Sequence, residues 1–132
     1  MSLAPIANLL KADAILFYST YGNKAVTESW TQRLNKQIKS IDQIKDYTNL
    51  NIATGRESGI VDVDLDCPET IMLADYFLPK TEFEFGREST PRAHRLFKVI
   101  DLTLKHTRSY CSFSDEKKAM LVEVRANKHY TK

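Results

Sequence analysis

Only two cysteines occur among the 132 residues, Cys67 and Cys111, and they lack the close paired spacing of a zinc site. No apolar run approaches the roughly 20 residues that a bilayer-spanning helix needs. The N-terminus lacks the charged-then-apolar layout of a secretory signal. These absences argue against a membrane or exported protein, and they predict two reduced thiols in the cytoplasm. There is also no internal repeat, low-complexity tract or linker, so the chain is expected to form one domain, 1–132, with a real core. Thr54-Gly55 followed by Ser58-Gly59 lacks the Gly-Lys-Ser/Thr of a P-loop.

What the chain does contain is a strict alternation in Gly59-Ile60-Val61-Asp62-Val63-Asp64-Leu65-Asp66. Side chains on a strand point to opposite faces with period two. Val61, Val63 and Leu65 then face a core, while Asp62, Asp64 and Asp66 share the other face. Three like charges in a row destabilise a strand unless something positive stands beside them. A divalent cation that selects carboxylate oxygen meets that need. A solvated strand face is the other reading. A calcium loop of the EF-hand type fits poorly, because Cys67 and Leu73 stand where it requires Gly and Glu. Ala119–Arg125 repeats the logic, with Met120, Val122 and Val124 on one face and Glu123 on the other.

The net charge of +2 is unevenly spread: residues 87–132 carry +6 and residues 1–86 carry −4. An acidic, metal-type segment beside a basic half suits a phosphate-rich substrate, although an ordinary solvated surface also accounts for the asymmetry. The order of elements predicts an α/β (α+β) fold, helices and strands first and mostly antiparallel strands later. Helices are expected over 4–12 (Ile6, Leu9 and Leu10 inward), 26–36, 41–47 behind a Ser40/Gln43 capping box, and 68–77 between Pro68 and Pro79. A turn is expected at 21–24. Strands are expected over 14–18, 50–53, 59–66, 82–85, 94–101, 106–113 and 119–125. His129–Lys132 reads as a further strand beginning, which suggests that the chain continues past its C-terminus.

Three segments, taken together, resemble the bifunctional primase/polymerase domain of the archaeo-eukaryotic primase superfamily. They are Asn51-Ile52-Ala53-Thr54-Gly55 leading into Ser58–Asp66, Ser89–Phe97 with His94, and Leu121–Arg125 with Glu123. Gly22-Asn23-Lys24-Ala25-Val26 with Trp30 also resembles that family's entry segment. The order and spacing carry the likeness more than any one motif.

The resemblance implies an N-terminal helix-strand module packed with an RRM-like antiparallel sheet, as the N-terminal part of a catalytic domain. It implies DNA primase or polymerase activity in replication of a mobile element, phage or plasmid. Asp64, Asp66 and Glu123 would be the catalytic and metal residues of a two-metal site for Mg²⁺ or Mn²⁺. His94, with Arg92 or Arg95, would hold the nucleotide phosphates. The implied partners are a DNA template and primer, nucleoside triphosphates, and a helicase domain or protein. Asp62 stands where the family more often has an apolar residue, so it is expected to be dispensable. Pro91-Arg92-Ala93 replace a Gly-Gly common in relatives, which leaves open whether Arg92 or Arg95 points inward. A two-metal nuclease or a catalytically silent nucleic-acid-binding module fits the same carboxylates. On residues alone, His94 also fits a surface histidine, and Glu123 fits a simple pair with Arg125.

Overall fold

Helix α1 (Ala4–Lys11), β1 (Leu16–Ser19), α2 (Trp30–Asn35), a 3-10 turn (Ile41–Gln43), β2 (Asn49–Thr54), β3 (Ile60–Leu65), α3 (Pro68–Phe77), β4 (Glu84–Arg87), β5 (Thr90–Lys98), β6 (Thr107–Tyr110), β7 (Met120–Arg125) and β8 (His129–Thr131) follow one another in the computed structural model. The structure describes residues 4–19, 29–44, 49–100, 103, 107–110, 120–126 and 129–131. The expected turn at 21–24, the entry segment 22–26 and Cys111 lie outside them. The strands form two antiparallel sheets, ordered β1-β2-β8 and β4-β5-β3-β7-β6, so the fold is α+β.

The acidic segment forms the central strand of the larger sheet, with β5 on one side and β7 on the other. All six residues of β3 are buried, which rules out a solvated face. The two faces are covered by different layers. On one, Val63 and Leu65 pack with Ile71, Ala74 and Leu78 of the α3 region and with Phe97 and Val122. On the other, Ile60 and Leu96 join Leu9, Ala14, Leu16, Ile38 and Ile52 of the N-terminal module, with Ile6 and Leu10 at its edge. Burying a Leu or Ile side chain contributes about 1.5–3 kcal/mol, so this second cluster binds the module to the Ile60 end of the acid-bearing face.

Local chemistry explains most boundaries. Ser29 and Gln32 cap α2 reciprocally: the Ser29 amide donates to Gln32 Oε1 at 2.9 Å and the Gln32 amide donates to Ser29 Oγ at 3.3 Å. Pro68 opens α3, where no N–H is required, and Glu69 lies in its positive first turn. Leu78 is extended before Pro79 and ends it. Between β2 and β3 the chain reverses through Gly55 and Gly59, whose φ values of 109° and 66° suit residues without a Cβ.

Two expectations are corrected. The helix over 41–47 is a single 3-10 turn, followed by Ile44 at φ −80°, ψ 127°; residues 45–47 lie outside the described set. Gln43 Oε1 accepts the Lys39 and Ser40 amides at 2.7 and 3.4 Å. However, Ile41, Asp42 and Ile44 are poor helix formers, and Ile44 instead packs on the core. The strand expected from residue 94 begins at Thr90, because Glu88-Ser89 makes a two-residue hairpin between β4 and β5. β3 pairs with β5 only from His94 onward, so Pro91 lies beyond that ladder. A bulge interrupts the hairpin between Phe85 and Arg87. There Gly86 leaves no room for a Cβ beside the Thr90 carbonyl, and Arg92 adopts φ 64°.

Candidate metal centre

Register places the acids. Asp64 on β3 lies directly opposite Glu123 on β7 and opposite His94 on β5. Directly opposed residues share a face, so His94, Asp64 and Glu123 form one row across three strands. Asp66 follows β3 by one residue, and its amide donates to the Leu121 carbonyl at 2.9 Å, which extends the ladder past the strand end. One ligand atom from each of Asp64, Asp66 and Glu123 lies within 4.8 Å of the others. Asp64 and Glu123 are buried and Asp66 is exposed, so the cluster opens to solvent at the Asp66 end.

Burial raises the Asp64 pKa, because desolvation disfavours its charge more than His94 and Arg125 favour it. Desolvation likewise raises Asp66, against the pull of Arg125. For His94, burial acts to lower the pKa, but the hydrogen bond to Asp62 and the charges of Asp62 and Asp64 outweigh it and leave it raised.

Two residues given no positive role by the sequence stand in this cluster. Arg125 does pair with Glu123, Nε to Oε2 at 3.1 Å, but it also contacts Asp64 through Nη2 and approaches Asp62 Oδ2 at 3.8 Å. Asp62, expected to be dispensable, is 0 % exposed, and its Oδ2 lies 3.0 Å from His94 Nδ1. The same nitrogen is 3.5 Å from Asp64 Oδ1. Phe85 stacks on the imidazole, with centroids 4.8 Å apart and planes 17° apart. The signal for Asp62 was present in the alternation itself. For Arg125 the signal was its place two residues after Glu123, on the same strand face.

Arg92 and Arg95 are not brought to this face. Arg95 is opposite Val63 in register and points toward α3, where it is 1 % exposed and donates from Nη1 to Asp75 Oδ1 at 2.7 Å. Arg92 joins it there, Nε to Glu84 Oε2 at 2.6 Å and Nη2 to Asp75 Oδ1 at 2.7 Å. These hydrogen bonds, Arg92 first and then Arg95, hold the Asp75 pKa down at about 2, against an ordinary 3.8. A carboxylate depressed in the fold stabilises it above its unfolded pKa, and the contribution fades as pH falls through the folded value. Stability of the protein is therefore expected to decline between about pH 4 and pH 2, and Asp75→Asn to flatten that decline. Urea midpoints at a series of acidic pH values measure this; equal slopes in both proteins would remove the network from the acid response.

The donor set fits a hard divalent cation. Asp64, Asp66 and Glu123 offer only carboxylate oxygen. With Asp62, four carboxylates face one guanidinium and one imidazole, a deficit of positive charge that a divalent ion matches. No helix among the described residues is long and apolar enough to cross a membrane. No protein-family model, curated protein or solved structure matches the chain.

Proposed function

We propose that this chain is a primase/polymerase-type catalytic domain. It carries out metal-dependent, template-directed nucleotidyl transfer in DNA replication, in the cytoplasm, for a mobile element, phage or plasmid. The observation that carries this reading is the convergence of Asp64, Asp66 and Glu123 within 4.8 Å, beside His94, on one face of an antiparallel sheet. In this reading the five-stranded sheet is the RRM-like catalytic sheet. Asp64, Asp66 and Glu123 hold Mg²⁺ or Mn²⁺. Bound divalent ions supply Lewis-acid activation of a 3′-hydroxyl and neutralise charge on a triphosphate. His94 donates a charge-assisted hydrogen bond to the nucleotide phosphates. Arg125, already among the acids, takes the cationic role that the resemblance assigned to Arg92 or Arg95. The N-terminal module closes the Ile60 end of the face, so template, primer and nucleotide approach from the Asp66 side. A helicase domain or protein is the expected partner.

The deciding assay offers the protein a labelled primer on a DNA template, and a bare template, with Mg²⁺ or Mn²⁺ and either dNTPs or NTPs. Primer lengthening or new primers are expected. Shortened strands would instead make the same carboxylates a nuclease site. Template binding without either product would make the domain a silent nucleic-acid-binding module.

A further inference from the structure

We propose that Asp62 is the positioning residue of His94: its buried carboxylate fixes the plane and the Nδ1 proton of the imidazole beside the acidic row. The dyad stands on its own geometry, and only its use toward a triphosphate rests on the function proposed above.

The site of Asp62 is an unusual place for a carboxylate. It lies on the central strand, opposite Leu96 on one side and Arg125 on the other. It is 0 % exposed, and its Oδ1 has no hydrogen-bond partner among the described residues. Burying a carboxylate this way is unfavourable unless it is paired. An apolar side chain of similar size would fit the layer, given Ile60 and Leu96 beside it in the core. What the carboxylate contacts most closely is Nδ1 of His94, at 3.0 Å, with Arg125 Nη1 farther from the same oxygen at 3.8 Å. With water excluded from Asp62, that hydrogen bond meets no solvent competition.

The imidazole is held from a second side. Phe85, one strand farther out, stacks nearly parallel to it. A ring stacked on one face and bonded through one nitrogen keeps one orientation. A neutral imidazole carries its proton on the nitrogen that faces a carboxylate. The neutral ring is thus held in the Nδ1–H form by Asp62, with Asp64 as a longer second contact at 3.5 Å; the imidazolium keeps that bond and has Nε2–H left to donate to a phosphate.

A purely structural pair predicts something different. Removing the acid of a buried pair then costs stability, as it does for any such pair, but the histidine has no special proton arrangement to lose. The test separates the two. Long-range proton–nitrogen NMR at alkaline pH reads the His94 tautomer directly in wild type, Asp62→Val and Asp62→Asn. We expect the Nδ1–H form in wild type and in Asp62→Asn, whose amide oxygen still accepts, and its loss in Asp62→Val. An unchanged tautomer in Asp62→Val overturns the proposal. If Asp62→Val does not fold, the same comparison is made with Asp62→Ala, and wild-type Nε2–H alone is enough to overturn it.

Binding of a non-hydrolysable dNTP with Mn²⁺ gives the second arm. Asp62→Val and His94→Ala should each weaken it about tenfold, the loss of one charge-assisted hydrogen bond. The double variant should be no weaker than either alone, because both remove one unit. Additive losses would count against the dyad. Should wild type bind no triphosphate, the nucleotidyl-transfer reading fails, while the tautomer measurement still decides the role of Asp62.

Discussion

Asp64→Ala and Asp66→Ala are each expected to lower primer extension by at least about a thousandfold, since metal-assisted charge stabilisation is worth several kcal/mol in a transition state. The two variants differ in every other respect. Asp66 is exposed, and desolvation and its acidic neighbour Glu123 work against its charge, so removing it leaves the fold intact. Asp64 is buried and bound by Arg125, so its loss strips the guanidinium of one partner; Asp64→Asn, which keeps the volume, is the matched control. Mn²⁺ affinity and thermal unfolding, measured beside activity, separate a lost ligand from a lost fold. A folded variant at either position that keeps full extension activity would mean that the catalytic acids have been misassigned.

Arg125→Ala should destabilise the metal-free protein by about 3 kcal/mol, because it leaves buried carboxylates without their counter-charge. Arg125 is the cation now shared by Asp64, Glu123 and, at longer range, Asp62. Asp64 is already pushed upward by burial, and Arg125 is one of the two groups opposing that push. Mn²⁺ should therefore restore most of the lost stability, since a ligand at about 100 times its Kd contributes about 2.7 kcal/mol to the folded state. Urea titrations with and without Mn²⁺ give both numbers. An equal deficit in the two titrations would mean that metal and guanidinium do not act on the same acids.

The alternation at 59–66 could be read without the fold, because period two is a property of any strand and needs no knowledge of its neighbours. It correctly set Val63 and Leu65 apart from Asp62 and Asp64. The pairing of Glu123 with that strand was expected only from the order of motifs in the family that the sequence resembles, since nothing local specifies which strands become neighbours. The roles of Arg92 and Arg95 were not readable. Counting back from His94 puts Arg92 on the acid face, but the bulge at Gly86 and the φ of 64° at Arg92 shift its side chain to Asp75 and Glu84. A single residue in the left-handed region is enough to change the parity of a strand, and here an arginine holds a conformation that glycine favours. Asp62 escaped for a different reason: its burial depends on a module packed from residues 9 to 52, which no window around position 62 contains. The helix over 41–47 failed because a capping box specifies where a helix starts and says nothing of whether Ile-Asp-Gln-Ile will continue one.

The register of β3 with β7 has a kinetic consequence. Asp64 and Glu123 face each other although roughly 60 residues separate them, and β8 returns to β2 across an even longer span. Domains dominated by such distant pairings reach the native state in milliseconds to seconds, far more slowly than helical bundles. Neither half of the chain holds the complete carboxylate set, so tight divalent-ion binding emerges only when the central ladder has closed. The rate at which a refolding chain acquires Mn²⁺ affinity is thus a direct clock for formation of that ladder.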